Sequence, residues 1–246
     1  MDALIARTPQ AFLAKQNIKV HTGHEVTRVD PEKQRILVKN LHSFAERWEH
    51  YDQLLFATGA RPVRPLLEGI DSRNIYDVHN LVSGSQLKKA LDELRPKTAV
   101  IVGGGYIGLE MAEALHLRGL KITMVQRSAQ VMPTLDPDMG ERIGQSLRER
   151  GIDLRLGETV EGFAQQDGLA VAVLTNNQAI PTDLVILGLG VAPNSDLAKA
   201  AGIPLGAKES IRVNELQQTE TRNIWAAGDG AQSYHLVSRR PAYVAL

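Results

Sequence analysis

The chain has 246 residues, in which 28 lysines and arginines balance 28 aspartates and glutamates, and it has no cysteine. The neutral formal charge argues against a nucleic-acid partner. Without cysteine, these residues form no disulfide, thiolate metal site or cysteine nucleophile. The longest mostly apolar run, residues 184–192, is far shorter than the ~20 residues of a membrane-spanning helix. The N-terminus lacks a signal-peptide pattern, so we expect a soluble, cytoplasmic α/β protein with no membrane partner.

The first part of the chain predicts strands that end in small residues. Asn17 is expected to end a helix, and a strand from Ile18, a glycine and a second strand follow. A later strand runs into Ala57, Thr58 and Gly59. Small residues there would let the chain pass close to a bound nucleotide or a neighbouring domain. The alternative is a plain turn at the end of a strand.

Residues 98–126 predict a strand, a helix and a second strand. Thr98–Val102 is a short apolar run that ends in glycines, as a buried parallel strand does. A helix is expected over Tyr106–Arg118, with Gly119 beyond its C-terminus, and Lys121–Val125 is the next strand. A strand, a helix and a strand within about thirty residues make a βαβ unit.

The next elements extend this plan. Asp136 is a suitable N-cap, and Pro137 a suitable first residue, for a helix that ends at Gly151. Short strands then surround a turn at Asp167 and Gly168. The strands predicted after the helix are, in chain order, Ile152–Leu156, Thr159–Phe163, Leu169–Leu174 and Leu184–Leu189.

Two segments recur at nearly the same offset, which indicates a duplicated domain. Residues 17–26 resemble residues 151–160, and residues 51–62 resemble residues 182–193, at offsets of 134 and 131 residues. In the second copy a glycine turn precedes this segment, and the matching turn of the first copy would fall before residue 1. We therefore expect the first copy to lack its opening βαβ unit. The alternative is a chain that starts naturally with a short capping element.

The turn after Val102 carries a G-x-G-x-x-G pattern in the strand-to-helix context that dinucleotide binding requires. The first glycine permits the tight turn, the second lets the backbone approach a pyrophosphate, and the third lets helix and strand pack closely. The helix N-terminus adds free N–H groups and a positive dipole. The alternative is a tight turn that binds nothing. The candidate binding residues are Gly103, Gly104, Gly105, Tyr106, Ile107 and Gly108.

The end of the second strand of this unit selects the cofactor. NAD-binding proteins usually place a carboxylate there for the ribose 2′-hydroxyl, whereas this chain has Gln126, Arg127 and Ser128. No carboxylate repels a 2′-phosphate, and Arg127 could pair with one. The sequence therefore favours NADPH, or indifference between NADH and NADPH. The alternative for Arg127 is a solvated surface position.

Near the C-terminus, a strand over Ile224–Ala227 runs into Gly228 and Asp229. An acidic side chain at a glycine turn after a buried strand suits hydrogen bonding to a sugar or ribityl hydroxyl. A compatible alternative for Asp229 is the N-cap of the following segment. The seven histidines show no metal-ligand spacing, and no Ser–His–Asp arrangement is evident, so we predict no metal site.

Four motifs, in this order, resemble the pyridine nucleotide-disulfide oxidoreductase superfamily along essentially the whole chain. They are Ala57–Ala60, Val102–Glu110, Gly190–Asn194 and Ala227–Asp229. Residues 135–139 and 233–243 are most similar to the branch with coenzyme A-disulfide reductase, NADH oxidase and NADH peroxidase. The resemblance implies two Rossmann-like three-layer α/β domains, the first incomplete, each with a β-meander. An FAD-binding domain would span residues 1–68 and 193–246, around an NAD(P)-binding domain at 69–192.

The resemblance also implies an activity and residue roles. Family members pass hydride from NAD(P)H to FAD, and electrons then reach a redox-active cysteine and a disulfide or oxygen substrate. Tyr106 would gate the nicotinamide pocket, and Glu110 would lie near the junction of flavin and nicotinamide. Asp229 would bind the ribityl chain of FAD, and Gly190 joins the cofactor-binding candidates.

The chain departs from the family pattern at several points. The FAD-binding glycine turn and the redox cysteine would lie before residue 1, and a dimerisation domain after Leu246. We therefore expect an inactive fragment of a homodimeric parent. Ala192 replaces the usual arginine, and Gln126 replaces the usual acidic residue. Two other functions stay open: a flavin reductase that serves a redox protein or nitrite, and a non-catalytic nucleotide-binding module.

Overall fold

The computed structural model describes residues 6–245, which divide into two compact units. One is formed by the chain up to Ala60 and from Pro193 onwards, and the other by Arg61–Ala192. The assignment of FAD to the first unit and of NAD(P) to the second stays a prediction. Within residues 6–245, no helix is both long enough and apolar enough to cross a bilayer.

Residues 61–68 lie in the second unit, whereas the family resemblance implied that they belong to the first. A backbone contact late in this segment explains the difference. Glu68 forms a parallel bridge with Gly162, and its carbonyl oxygen accepts a hydrogen bond from the Phe163 N–H at 2.8 Å. The partner strand is far along the chain, so the local pattern could not reveal the contact.

Helices and strands alternate in the middle of the chain, and runs of consecutive strands come before and after that stretch. The helices are α1 (Pro9–Gln16), α2 (Leu81–Leu94), α3 (Tyr106–Leu117), α4 (Pro137–Glu149) and α5 (Asp196–Ala200). The strands before the glycine turn are β1 (His24–Asp30), β2 (Arg35–Asn40), β3 (Glu46–His50), β4 (Leu54–Phe56), β5 (Ala60–Pro62), β6 (Ile75–Tyr76) and β7 (Thr98–Val102). The strands after it are β8 (Lys121–Gln126), β9 (Asp153–Leu156), β10 (Val160–Gln166), β11 (Leu169–Thr175), β12 (Ala179–Pro181), β13 (Leu184–Leu187), β14 (Val191–Pro193), β15 (Ile224–Ala226), β16 (Ser233–His235) and β17 (Arg240–Ala242).

The second unit is built on a five-stranded parallel sheet in the order β6-β13-β7-β8-β9. Its faces pack against different layers, because alternate side chains of a strand point to opposite sides. On β7, Ile101 packs with helix residues such as Leu115, while Val100 packs with Val173 of the antiparallel meander β10-β11-β12. Helices, parallel sheet and meander make the three layers that the sequence predicted.

The first unit contains a second meander, β1-β2-β3, together with the parallel pair of β4 and β15. Its core is formed around Phe56 on β4, Ile224 on β15 and Ile211, all of them buried. Among residues 6–245, the parallel sheet of this unit comprises only these two strands. Its parallel sheet therefore has fewer strands than that of the second unit.

The duplication is visible in the backbone. Gly23 and Gly157 have φ of 67° and 70°, and Gly59 and Gly190 have φ of 64° and 82°. One expected element is missing, because residues 18–21 form no strand. The matching strand β9 pairs with β8, whereas within residues 6–245 no strand pairs with residues 18–21. A segment without a ladder partner has no hydrogen bonds to hold it as a strand, so this prediction was wrong.

Two other local predictions need correction. The strand expected over Leu184–Leu189 ends at Leu187, because Gly188 lies against the backbone of the glycine turn. A Cβ on Gly188 would be 3.2 Å from the Gly108 Cα. Asp136 has the extended backbone of an N-cap, but its side chain makes no capping hydrogen bond. The start of α4 is favoured instead by its first residue, Pro137, because the proline ring fixes φ near the helical value.

Candidate functional site

Two glycines of the turn between β7 and α3 occupy positions where no other residue fits without a shift. Gly103 has a φ of +108°, and a Cβ there would lie 2.3 Å from the Gly188 carbonyl oxygen. A Cβ on Gly108 would lie 2.0 Å from the Gly103 carbonyl oxygen. The first glycine therefore makes the turn, and the third brings the helix against its backbone.

Gly105 differs from these two because it faces open space. It is the N-cap of α3, with φ −88° and ψ −170°, and no side chain caps this helix end. A Cβ on Gly105 would meet no atom within 4 Å. The first N–H groups of α3 therefore need a partner from outside the helix, and an anion suits both their direction and the helix dipole.

Gln126 ties the end of β8 to the glycine turn. Its Oε1 accepts a hydrogen bond from the Gly104 N–H at 2.8 Å, and its Nε2 donates to the Ser128 hydroxyl. The Ser128 hydroxyl donates in turn to the Gln130 carbonyl oxygen at 2.8 Å. The amide of Gln126 thus holds the turn without adding a charge to it.

Arg127 follows at the same strand end, and its side chain is exposed. Its guanidinium forms no ion pair within the part of the chain that the structure describes. A cation without a protein carboxylate beside it is available for an anionic ligand group. This arrangement is compatible with the predicted phosphate contact, although the role of Arg127 stays a prediction.

A cavity of about 560 Å³ opens at this end of the sheet, entirely within the second unit. The predicted binding residues in its wall are Gly103, Gly105, Gln126, Arg127 and Gly190. The apolar side chains of the wall include Val102, Val125, Val160, Phe163 and Leu187. A largely apolar cleft with a few polar groups at one edge is typical of a cofactor site.

Tyr106, Ile107 and Glu110 lie on the first turns of α3, next to this cavity in sequence. Tyr106 is 70 % exposed, and Glu110 is exposed as well. Their spacing of four residues places both on one face of the helix. None of the three belongs to the cavity wall. The gating role of Tyr106 and the catalytic position of Glu110 stay predictions.

The first unit brings the other two predicted motifs together. Because β4 and β15 are parallel neighbours, Thr58 and Gly59 after β4 lie beside Gly228 and Asp229 after β15. A Cβ on Gly230 would be 3.1 Å from the Thr58 hydroxyl oxygen. Gly59 and Gly228 have φ of +64° and +74°, and a Cβ on either would meet no atom within 4 Å. The backbone is therefore open to a ligand at both strand ends.

Asn194 holds the end of β4 in place from the returning chain. Thr58 Oγ1 donates to the Asn194 carbonyl oxygen at 2.7 Å, and Asn194 Nδ2 donates to the Thr58 carbonyl oxygen at 2.9 Å. The Asn194 N–H donates to the Gly59 carbonyl oxygen at 2.9 Å. Ala57 precedes this clamp and is exposed. The sequence contained the motifs Ala57–Ala60 and Gly190–Asn194, but it did not show that they are hydrogen-bonded to each other.

Asp229 lies inside a 3₁₀ turn, Gly228–Gly230, whose N-cap is Ala227, so the alternative N-cap role of Asp229 was wrong. Burial and the negative charge of Asp229 raise the pKa of Tyr243. The Tyr243 hydroxyl is buried and has no hydrogen-bond partner within residues 6–245. A buried hydroxyl without a partner near a carboxylate fits a site that receives a polar ligand group.

Both ring nitrogens of His24 lie near polar groups of the protein. His24 lies 2.9 Å from the Thr22 carbonyl oxygen through Nδ1, and 3.3 Å from Asn40 Nδ2 through Nε2. Within residues 6–245, no three histidine or carboxylate side chains are grouped closely enough to hold a metal ion.

Glu158 is a residue of the cavity wall that the sequence analysis missed. It follows β9, is only 7 % exposed and accepts a hydrogen bond from the Thr175 hydroxyl at 3.1 Å. Arg155 Nη1 lies 4.0 Å from its Oε1. Its hydrogen-bond partner, Thr175, lies on the neighbouring meander. The only signal in the sequence was a carboxylate directly after the glycine that ends a strand.

The chain resembles known proteins along its whole length. The family model described as pyridine nucleotide-disulphide oxidoreductase matches residues 4–244. The NAD(P)H sulfur oxidoreductase (CoA-dependent) of Pyrococcus abyssi is 33 % identical over 246 residues, which are 100 % of this chain and 54 % of that relative. The chain thus spans about half the length of the curated relatives it matches.

Solved structures agree with this relationship. The reduced Bacillus anthracis CoADR-RHD has a TM-score of 0.95 at 31 % identity, and the match covers 100 % of this chain and 44 % of that one. An engineered water-forming NADPH oxidase bound to NADPH, a variant of a Lactobacillus brevis NADH oxidase, has a TM-score of 0.91 at 30 % identity, over 100 % and 54 % of the two chains. With the fold, the glycine turn and the family model in agreement, the chain belongs to the pyridine nucleotide-disulphide oxidoreductase family.

Proposed function

We propose that the chain is the nucleotide-binding part of an FAD-dependent NAD(P)H oxidoreductase. The observation that carries this proposal is the open position of Gly105 at the start of α3, beside a cavity of about 560 Å³. A pyrophosphate can approach the backbone there because no side chain intervenes. The uncapped N–H groups of α3 and its dipole favour the negative charge of that group.

The first unit would hold FAD at the adjoining ends of β4 and β15. Asp229 would accept a hydrogen bond from a ribityl hydroxyl, and Gly59 and Gly228 leave the backbone uncovered for close approach. Ala57 and Thr58 belong to the same strand end, and the Asn194 clamp fixes it. When bound, FAD would supply the ring system that takes up hydride.

The overall reaction would oxidise NAD(P)H to NAD(P)⁺ and deliver two electrons to a disulfide or an oxygen species. Relatives described as a CoA-dependent sulfur oxidoreductase and as water-forming oxidases support this choice of acceptors. In this proposal Tyr106 gates the nicotinamide pocket, and Glu110 lies near the place where nicotinamide and flavin meet. A cytoplasmic location and a homodimeric parent stay predictions as well.

We also propose that the site prefers NADPH. The engineered NADPH oxidase carries a glycine-to-alanine change and, eighteen residues later, an aspartate-to-alanine change followed directly by alanine-to-arginine and methionine-to-serine changes. In this chain Gln126 lies eighteen residues after Gly108 and is followed by Arg127 and Ser128. The unaltered chain thus has an uncharged residue, an arginine and a serine at the same spacing.

A spectrum and a titration of the purified chain test the proposal. We expect calorimetry to detect binding of NADPH, and of NADH more weakly. Flavin absorbance that persists through desalting after addition of FAD, and that bleaches on addition of NADPH, would support a functional flavin site in this chain. Nucleotide binding without retained flavin would leave the proposed nucleotide site standing and would contradict the proposed FAD site in this chain. Absence of binding for both nucleotides would contradict the proposal.

A further inference from the structure

One buried charged side chain in the cavity wall has no part in the proposed phosphate and ribose contacts. We propose that Glu158 recognises the adenine base of the dinucleotide by accepting a hydrogen bond from its C6 amino group. The inference rests on the proposed function, because it requires a dinucleotide in this cavity. Glu158 would thus recognise the base, in addition to the residues that bind the phosphates.

The order of the strands supports this placement. β7, β8 and β9 are parallel neighbours, so their carboxyl ends follow one another along one edge of the sheet. The glycine turn after β7 takes the pyrophosphate, and the residues after β8 take the ribose. The base comes next in the nucleotide, and the end of β9 comes next along the sheet. There the Glu158 N–H donates to the Gln126 carbonyl oxygen at 3.2 Å, and the Gly157 N–H to the Ser128 carbonyl oxygen at 3.1 Å.

The carboxylate of Glu158 has acceptor capacity that the protein leaves unused. A carboxylate can accept about four hydrogen bonds. The Thr175 hydroxyl reaches Oε2, whereas Arg155 Nη1 lies 4.0 Å from Oε1. Arg155 is itself engaged by Asp153, with 2.9 Å between Nη2 and Oδ2. This carboxylate is 7 % exposed and only partly paired, so a hydrogen-bond donor on the ligand would stabilise it.

The rest of the wall fits a flat aromatic ring. Apolar side chains of Val125, Val160 and Phe163 line the same cavity as Glu158. Such a slot holds any purine by contact area, so it cannot distinguish one base from another. The amino group of adenine is the donor that a buried acceptor would select, because a base with a carbonyl at C6 would present oxygen to oxygen.

Calorimetric titration of the 246-residue chain with two nucleotides tests the assignment. The probes are NADPH and its hypoxanthine analogue, in which a carbonyl replaces the C6 amino group. We expect the unaltered chain to bind NADPH about tenfold more tightly than the analogue. Glu158→Gln keeps an oxygen for Thr175 and adds an amide donor for the carbonyl, so this ratio should fall to near one. Glu161→Gln, an exposed position on β10, is the matched control and should leave the ratio unchanged.

The outcomes separate this inference from the proposed function. If the unaltered chain binds both probes equally, or if Glu158→Gln leaves the ratio unchanged, Glu158 does not read the base and the nucleotide site still stands. If Glu158→Gln changes the ratio of NADPH to NADH affinity instead, the carboxylate faces the ribose and the inference is overturned. If neither NADPH nor NADH binds to the unaltered chain, both proposals fail. Unfolding curves for each variant confirm that the comparison is between folded proteins.

Discussion

The Gly104 N–H donates a hydrogen bond to Gln126 Oε1, and the two atoms lie 2.8 Å apart. This contact joins the glycine turn to the end of β8, so the proposed phosphate contact and the proposed ribose contact share one geometry. The same position carries a carboxylate in proteins that select NAD. Gln126 retains the acceptor oxygen of that carboxylate and loses its charge.

Substitution Gln126→Glu should therefore preserve the turn and reverse the cofactor preference. The new carboxylate can still accept from the Gly104 N–H, but it repels a 2′-phosphate and can accept from a 2′-hydroxyl. We expect NADPH binding to weaken about tenfold, with NADH binding unchanged or tighter. Calorimetry with both nucleotides measures this. Equal weakening of both would show that Gln126 acts on the turn alone.

Arg127→Ala should weaken NADPH binding more than NADH binding, because only NADPH has a 2′-phosphate for the guanidinium. The expected loss is about tenfold for NADPH at low salt, and it should shrink as ionic strength rises, since the side chain is exposed. Arg142→Ala, an exposed arginine on α4, is the control. Equal losses for both nucleotides would refute the phosphate contact.

Two alanine substitutions in the glycine turn should separate binding from folding. Gly105→Ala adds a Cβ in open space with an ordinary φ, so the thermal unfolding temperature should change little while NADPH binding weakens at least about tenfold. Gly103→Ala requires a φ of +108° and an approach of 2.3 Å to a carbonyl oxygen. It should destabilise the fold by about 2–4 kcal/mol. Denaturant unfolding measures the stability of each variant, and calorimetry measures its NADPH binding. A larger loss of stability for Gly105→Ala than for Gly103→Ala would contradict these assignments.

Asn74→Ala should destabilise the second unit strongly. The Asn74 side chain is buried, donates to the carbonyl oxygens of Ala170 and Asp183 and accepts from the Ala170 N–H, each at 2.8 Å. Its removal deletes these three buried hydrogen bonds, and we expect the free energy of urea unfolding to fall by about 2–4 kcal/mol. Asn177→Ala, in the exposed turn after β11, is the control and should change the free energy of unfolding by less than about 0.5 kcal/mol.

The contribution of Asp183 to stability should depend on pH. Burial raises its pKa, but hydrogen bonds from the Lys97 N–H, the Thr98 N–H and the Thr98 hydroxyl outweigh this and hold the pKa below its ordinary value of 3.8. A lowered folded-state pKa stabilises the fold above pH 3.8, and this stabilisation disappears as the pH falls through the folded-state value.

Asp183→Asn should therefore be less stable than the unaltered chain near pH 7, by about 1 kcal/mol because the site is partly exposed. The difference should vanish in acid once the pH lies below the folded-state pKa, which is itself lower than 3.8. Urea unfolding at both pH values measures it. A difference that grows on acidification would contradict the sign of the pKa shift.

Sequence patterns predicted the second unit well because its signals are local. Thr98–Val102 is the observed β7, and Gly119 takes a positive φ directly after the cap residue of α3. The turn at Asp167 and Gly168 has φ of 53° and 76°, as a two-residue hairpin requires. Each of these elements is determined by residues that are neighbours in sequence.

The features that the sequence did not reveal depend on distant partners. Residues 18–21 have the composition of a strand but no neighbour within residues 6–245. Glu158 is buried and accepts a hydrogen bond from the next meander. The Asn194 clamp joins positions in two separate motifs. Hydrophobic period and spacing indicate the pairing of strands that are close in sequence, but they did not reveal these contacts between distant segments, which could be recognised only in three dimensions.

The pairing of β5 with β14 places the entry and the exit of the second unit side by side. Val63 N–H donates to the Gly190 carbonyl oxygen at 2.9 Å, which closes Arg61–Ala192 into a loop with adjoining ends. A segment closed in this way behaves as a cassette. We expect that it can be expressed alone, permuted by joining its ends, or exchanged for the corresponding segment of a relative to transplant a nucleotide preference in a single step.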